Sequence, residues 1–155
     1  MEKRKLKDVG KFILSVLVCQ LAGFIGSLFT TPHIPTWYAN LTKPSFTPPN
    51  AVFAPVWTTL YFLMGLSLFL VWKKGTKGLT LFFIQLVLNV VWSILFFGLK
   101  SPLLGFIDII VLWLLILLTI INFFKISKFA GILLLPYILW VSYASVLNFS
   151  IWRLN

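Results

Sequence analysis

Aromatic and carboxamide side chains recur at helical spacing in three apolar stretches of this 155-residue chain. In the first of them, Trp57 and Tyr61 are four residues apart, which places both on one face of a helix. The same spacing gives one stripe of Gln85, Asn89, Trp92 and Phe96, and another of Tyr137, Trp140, Ala144 and Asn148. Such residues favour noncovalent binding of a large planar molecule, because ring stacking contributes about 0.5–1.5 kcal/mol beyond the area buried.

The two amides of the middle stripe have two interpretations. Gln85 and Asn89 lie within an apolar stretch, where an amide is costly unless it finds a partner, so both must face the interior of a bundle. They either join helices through hydrogen bonds worth about 0.6–2 kcal/mol each, or they face a ligand. Asn89 lies one turn from Trp92, which favours the second interpretation for that residue, but the residues alone leave both open.

Side chains suited to bond-breaking chemistry are scarce. His33 is the only histidine, so the sequence offers no metal-ligand cluster and no Ser–His–Asp set. Asp108 is the only acid inside an apolar stretch, which makes it a functional candidate, although its place near a helix start favours a role in complementing the helix dipole. Cys19 has no second cysteine to pair with. We expect neither a metal nor a covalently bound cofactor.

The composition predicts an integral membrane protein. Hydrophobic residues make up 60% of the chain and charged residues only 10%, whereas soluble domains carry about 25% charged residues. The net charge of +10 comes from clusters at the ends of apolar stretches, a pattern typical of membrane topology and not of nucleic-acid binding. The expected partner is therefore the lipid bilayer.

Five stretches are long enough to cross a bilayer, which takes roughly 20 helical residues. They cover approximately Phe12–Phe29, Pro55–Trp72, Leu79–Leu99, Leu103–Phe124 and Phe129–Trp152. None shows the alternation of a barrel strand, so we predict an all-α fold, a single five-helix transmembrane domain over residues 1–155. A cleaved signal peptide over residues 1–29 is the alternative for the first stretch, but no A-x-A site follows it.

The basic residues also predict the orientation. Ten of the 13 lysines and arginines fall on the side of the N-terminus, and three (Lys43, Lys100 and Arg153) fall on the other. By the positive-inside rule, the N-terminus is cytoplasmic, while the C-terminus and the 30–54 loop face outward.

That loop contains the segment WYANLTKPSFTPP, residues 37–49. Its prolines, Pro44, Pro48 and Pro49, fix the backbone and lower the entropy cost of holding one conformation. Tyr38 and Phe46 add apolar surface. The segment therefore predicts a stiff lid over a pocket, and a rigid connector packed on the bundle is the alternative.

Four blocks of the sequence carry a family resemblance: the loop segment, then PVWTTLYFLMG (55–65), QLVLNVVWSILFF (85–97) and PYILWVSYASVLN (136–148). In this order and spacing they resemble the translocator protein, or tryptophan-rich sensory protein, family, also known as the peripheral-type benzodiazepine receptor family. The resemblance implies five transmembrane helices, a homodimer, and a pocket for porphyrins and benzodiazepine- or isoquinoline-type ligands. With the stripes and the loop, it predicts ligand contacts from Tyr38, Phe46, Pro48, Trp57, Tyr61, Gln85, Asn89, Trp92, Trp140 and Ala144.

The leading functional prediction is a protein of the bacterial or archaeal cell membrane that binds porphyrin in an outward-facing aromatic pocket, for sensing, transport or sequestration. An alternative is a light-dependent, porphyrin-degrading enzyme that uses Trp57 and Trp140 as redox partners. A transporter proper is disfavoured because no two-fold repeat is visible, and an assembly factor without a ligand is also open. Phe149 stands where the proposed sterol motif of eukaryotic relatives has a tyrosine, which disfavours sterol binding.

Overall fold

The computed structural model describes residues 2–155, with side chains from Lys3 onward. Its helices are α1 (Glu2–Thr30), α2 (Asn50–Trp72), α3 (Leu79–Ser93), α4 (Pro102–Ile126), α5 (Lys128–Leu133) and α6 (Leu135–Leu154). Short 3₁₀ turns cover Thr31–His33 and Tyr38–Asn40, and a π-helical turn, Ile94–Gly98, extends α3. Five helical stretches are long and apolar enough to cross a membrane, and no strand occurs within residues 2–155. The predicted fold class is confirmed.

Two of the helix bounds that differ from the sequence expectation lie near prolines. Helix α2 begins at Asn50 and includes Pro55, which near the start of a helix removes only one backbone hydrogen bond. The last predicted span is divided at Leu134, two residues before Pro136, which has no amide hydrogen to continue the ladder. The 3₁₀-type hydrogen bond from Leu134 N to Gly131 O, 3.2 Å, marks this break.

The helices form a closed ring. Helix α1 packs against α2 and α3, α4 packs against α3, α5 and α6, and α5 completes the ring by packing against α2. We call the end of the bundle that carries residues 31–49 the loop face, and the opposite end, with Lys73, Lys74 and Lys125, the basic face.

Packing is tight in the half of the bundle near the basic face. A Cβ atom on Gly65 of α2 would lie 2.7 Å from the Val16 Cα of α1, so the two backbones touch there. The Ser67 hydroxyl donates a 2.7 Å hydrogen bond to the Ala130 carbonyl and joins α2 to α5. An ion pair between Lys73 and Asp8, 3.2 Å, adds a further tie between α1 and α2.

Near the loop face, α2 and α6 share few contacts. Pro136 and the break at Leu134 let α6 take a direction separate from that of α5. The space between α1, α2, α3 and α6 is left unfilled, and the candidate site lies there.

Candidate ligand-binding site

A cavity of about 410 Å³ occupies the half of the bundle near the loop face. On α2 its lining extends from Asn50 to Tyr61, a depth of about 16 Å at the rise of an α-helix. It is lined by Gln20, Gly23, Phe24, Gly26, Ser27, Thr30, Thr31, Ile34, Tyr38, Asn50, Phe53, Ala54, Trp57, Thr58, Tyr61, Asn89, Trp92, Ser93, Phe96, Phe97, Trp140, Ala144, Leu147, Asn148 and Ile151.

Tryptophans from three helices border this cavity. Trp57 on α2 stacks on Tyr61 with ring centroids 5.5 Å apart, and Trp140 on α6 meets Phe53 edge to face at 6.1 Å. Trp92 on α3 stacks on Phe96 at 5.1 Å. Each indole is held by another ring, so the walls present flat apolar surfaces in fixed orientations.

A chain of four hydrogen-bonded side chains forms the floor. The Tyr61 hydroxyl donates to Asn89 Oδ1, and Asn89 Nδ2 donates to the Tyr137 hydroxyl at 2.9 Å. The Tyr137 hydroxyl in turn donates to Gln85 Oε1 at 2.8 Å. Tyr61 and Asn89 line the cavity, whereas Tyr137 and Gln85 lie beneath it. The chain joins α2, α3 and α6 below the cavity and satisfies the buried amide oxygens.

A second amide fixes the wall on the loop-face side. Asn148 Oδ1 accepts a 3.0 Å hydrogen bond from Trp92 Nε1, and Asn148 Nδ2 donates to the Pro102 carbonyl at 2.7 Å. Pro102 begins α4 and Asn148 belongs to α6. The Asn148 side chain therefore fixes the Trp92 ring relative to both helices. The Trp92 indole is thereby positioned, and its only donor is already used.

The roof is residues 31–38, of which Thr31, Ile34 and Tyr38 line the cavity. Tyr38 is buried, and its ring lies 5.6 Å from that of Phe97. Burial raises the pKa of the Tyr38 hydroxyl, and the nearby Tyr143 raises it further, so Tyr38 is neutral at physiological pH.

Lys43 holds the roof in place. Its ammonium donates hydrogen bonds to the carbonyls of Tyr38, Ala39 and Leu41, at 2.7, 3.3 and 3.0 Å, and lies 4.8 Å from the centre of the Tyr38 ring. All three protons of an ammonium are engaged by such a set. Lys43 is therefore a structural residue of the loop, and we do not assign it to the carboxylates of a ligand.

The C-terminal residue and Tyr143 fasten the rest of the loop. Asn155 exchanges two hydrogen bonds with the Thr42 backbone, one accepted from its amide at 3.0 Å and one donated to its carbonyl at 2.9 Å. The Tyr143 hydroxyl donates to the Phe46 carbonyl. The loop is thus attached to α6 at two separate points.

Seven of the ten sequence-predicted residues line the cavity: Tyr38, Trp57, Tyr61, Asn89, Trp92, Trp140 and Ala144. Phe46, Pro48 and Gln85 do not. Phe46 packs its ring against Tyr143 of α6, and neither Phe46 nor Pro48 lines the cavity. The part of the loop that covers the cavity precedes the prolines, and ligand contacts from Phe46 and Pro48 remain predictions. Gln85 lies one helical turn below Asn89, where its side-chain oxygen accepts the hydrogen bond from the Tyr137 hydroxyl.

The residues that α1 contributes to the cavity lining were not predicted from the sequence. Gln20, Gly23, Phe24 and Ser27 all border the cavity, and none of them was among the predicted ligand contacts. Gly23 also packs closely against α2, since a Cβ on it would lie 2.5 Å from the Tyr61 ring. Polar residues on one face of an otherwise apolar helix, Gln20 and Ser27, were the available signal.

The lining carries no Asp, Glu, Lys, Arg or His. Asp108 is buried on α4, outside the cavity, and its Oδ2 has no hydrogen-bond partner among the described residues. The indole nitrogen of Trp140 is likewise buried without an acceptor. The cavity is therefore neutral, aromatic and bordered by hydroxyls and amides, an environment suited to an uncharged ring system.

Known proteins are similar to this chain over most of its length. It matches the model of the TspO/MBR family over residues 15–153. It is 49% identical over 152 residues to the tryptophan-rich protein TspO of Archaeoglobus fulgidus, covering 96% of this chain and 99% of that protein. It is 46% identical to the tryptophan-rich protein TspO of Chlorobaculum tepidum, with 96% and 98% covered. It is 36% identical to the translocator protein of Homo sapiens, with 90% and 86% covered. The predicted family resemblance is thus confirmed, and the chain, an integral membrane protein, belongs to the TspO/MBR family.

Proposed function

We propose that this protein binds porphyrins, and other flat hydrophobic molecules of the benzodiazepine and isoquinoline type, in the cavity beneath the roof. The observation that carries the proposal is that Trp57 and Trp140, from helices that scarcely touch near the loop face, border one cavity. A pair of rigid indoles on separate walls can contact both faces of a planar ring system, and burial of each face contributes favourable free energy.

The neutral lining defines how a porphyrin would lie. A buried carboxylate without a cation partner is strongly disfavoured, and no lining residue supplies a cation. The apolar ring system therefore enters the cavity, while ionised side groups stay in water or among lipid headgroups. Esterified and free-acid porphyrins should accordingly bind with similar affinity, within about threefold, because charge recognition contributes little.

Titration of tryptophan fluorescence with protoporphyrin IX tests the proposal. Trp57→Leu and Trp140→Leu should each weaken binding about tenfold or more, because each removes a flat wall and its stacking. Trp72→Leu is the matched control, since Trp72 lies at the basic-face end of α2 and does not line the cavity. Wild-type affinity in both wall variants would reject this cavity as the binding site.

A second candidate function, light-driven oxidation of a bound porphyrin by molecular oxygen, is favoured by the stacking of Trp57 on Tyr61 beside the cavity. An electron-rich indole can donate an electron to the excited porphyrin, which passes it to molecular oxygen to give superoxide. The oxidised indole then recovers an electron from the porphyrin, so that the porphyrin is oxidised, oxygen is reduced and the indole is restored. An absorbing product that forms under light and oxygen with the wild type, but with neither Trp57→Phe, Trp140→Phe nor free tryptophan, would support this activity. The same product from free tryptophan would remove the case for an enzyme.

The proposed orientation places the basic face in the cytoplasm and the loop face outside. A membrane-impermeant maleimide applied to intact cells should label Thr42→Cys, which is exposed in the loop, but not Lys74→Cys; the native Cys19 is buried. The reverse labelling pattern would invert the topology. The homodimer implied by the family can be tested by crosslinking in the same membranes.

A further inference from the structure

We propose that ligands reach the cavity sideways from the lipid, through a seam between α1 and α2. The seam is formed by Gln20, Phe24 and Ser27 of α1 and by Asn50, Ala54 and Thr58 of α2. This inference rests on the proposed function, because it specifies the route and the class of ligand for the same cavity.

Several residues of the seam line the cavity and are also exposed. Phe24 lines the cavity, and 60% of its surface is exposed. Asn50, Ala54 and Thr58 are also both lining and exposed. By contrast, no lining residue of α3 or α6 is exposed, and Asn89 and Ile151 are at most 4% exposed. Among the helices, exposure of the lining is thus confined to α1 and α2, which indicates that the cavity opens between them.

The other ways into the cavity are closed. The roof is held by Lys43 and by the contact of Tyr38 with Phe97, and the loop is fastened to the C-terminus through Asn155. The gap between α2 and α6 is closed by the edge-to-face contact of Phe53 with Trp140. Displacing the roof would break several hydrogen bonds, whereas above Gln20 no side-chain hydrogen bond crosses the seam among the described residues.

The hydrogen bond and the close contacts that join α1 to α2 lie below the seam or near its lower edge, where Gly23 packs against the Tyr61 ring. Gly65 contacts the Val16 backbone near the basic face, and the Gln20 amide donates a 3.0 Å hydrogen bond to the Thr58 carbonyl. Between Gln20 and the end of α1, no side-chain hydrogen bond joins the two helices in the described part of the chain; the Ser27 hydroxyl bonds to the Phe24 carbonyl of its own helix. The Gln20–Thr58 bond therefore marks the lower edge of the seam, and Phe24 covers the opening above it.

The depth of the seam determines what can pass. The apolar part of α1 begins at Phe12, so Gln20 lies about 12 Å and Phe24 about 18 Å along a hydrocarbon layer about 30 Å thick. The opening thus lies in the hydrocarbon, on the side of the loop face. A molecule that uses it must first dissolve in the membrane. The seam selects flat, uncharged, lipid-soluble ligands, and Phe24 and Gln20 are residues that determine this specificity.

Stopped-flow quenching in phosphatidylcholine vesicles tests the route, with octaethylporphyrin, an uncharged porphyrin without carboxylates, as the probe. Gln20→Leu removes the tie at the lower edge and should accelerate both association and dissociation about threefold or more. Ala54→Phe narrows the opening and should slow both rates about tenfold. Thr59→Phe is the matched control, since Thr59 is exposed on α2 but does not line the cavity, and its rates should equal those of the wild type.

A disulfide that locks the loop in place distinguishes entry of the ligand through the seam from entry past the loop. In Thr42→Cys/Asn155→Cys, oxidation should fasten the loop to the C-terminus without changing either rate. Arrested exchange in the oxidised pair, or wild-type rates in both Gln20→Leu and Ala54→Phe, would overturn the seam proposal while leaving porphyrin binding intact. If the wild type shows no saturable quenching at all, the proposed function itself fails, and the seam proposal with it.

Discussion

Asn89 Nδ2 donates a 2.9 Å hydrogen bond to the Tyr137 hydroxyl, so a residue that does not line the cavity orients one that does. Tyr137 is fully buried, and its ring also meets Trp57 edge to face at 6.3 Å. One phenol thus holds both an amide of the floor and an indole of the wall. The site depends on this tyrosine although no ligand would touch it.

Tyr137→Phe should therefore affect both stability and binding. The change leaves Asn89 Nδ2 and Gln85 Oε1 without a partner in a buried, low-dielectric place, which costs about 1–3 kcal/mol. We expect a lower midpoint of thermal unfolding and weaker porphyrin binding. Tyr143→Phe is the matched control, because its hydroxyl bonds to the Phe46 carbonyl near the surface, where water can replace it. Equal effects of the two changes would contradict the role given to Tyr137.

Gly23→Ala should disturb the floor from α1. The added methyl carbon would lie 2.5 Å from the Tyr61 ring, so the ring must shift and its hydrogen bond to Asn89 must lengthen. Overpacking of this kind costs about 1–3 kcal/mol. Gly10→Ala is the matched control, since nothing lies within 4 Å of its added carbon and alanine favours the helix. The midpoint of thermal unfolding in detergent measures the stability of both variants. Wild-type stability and wild-type porphyrin binding in Gly23→Ala would contradict the close packing.

Asn148→Leu should release Trp92. The substitution removes the acceptor of the Trp92 indole and the tie to the Pro102 carbonyl, so the ring loses its fixed orientation. We expect about tenfold weaker porphyrin binding, measured by fluorescence titration. A suitable control is Asn122→Leu on α4, which does not line the cavity. Affinity unchanged by Asn148→Leu would show that the orientation of Trp92 is irrelevant to binding.

Lys43→Met should distinguish a structural lysine from a ligand-binding one. Because its ammonium is engaged by three loop carbonyls, its loss should loosen the roof and weaken all ligands by a similar factor. The ratio of dissociation constants for protoporphyrin IX and its dimethyl ester should stay the same. A selective loss of affinity for the free acid would mean that Lys43 pairs with ligand carboxylates after all.

Apolar runs, helical periodicity and the family resemblance together predicted the fold and much of the candidate site. The spans followed from apolar runs separated by lysines, and the stripes of α2, α3 and α6 placed Trp57, Asn89 and Trp140 on interior faces. These features depend on the local geometry of a helix, which spacing in the sequence determines directly.

Other features depend on contacts between distant residues and left no local signal. The π-helical turn at Ile94–Gly98 lets the adjacent rings of Phe96 and Phe97 both face inward, which α-helical spacing would not predict. The path of the loop likewise depends on distant contacts: the Tyr143 hydroxyl bonds to the Phe46 carbonyl, and the segment before the prolines covers the cavity. The contribution of α1 to the cavity depends on its position between α2 and α3 in the ring, which no local pattern in its sequence specifies.

The most direct test of the central claim, that ligand occupies the cavity bordered by Trp57 and Trp140, is a thermal-shift measurement on a filled cavity. Ala144 lines the cavity, so Ala144→Trp would occupy it, whereas Ala51→Trp, on an exposed position of α2 outside the lining, makes the same change elsewhere. Protoporphyrin IX at a hundred times its dissociation constant should stabilise the wild type and Ala51→Trp by about 2.7 kcal/mol, a rise of several degrees in melting temperature. It should leave Ala144→Trp unchanged. A full shift in Ala144→Trp would contradict the account.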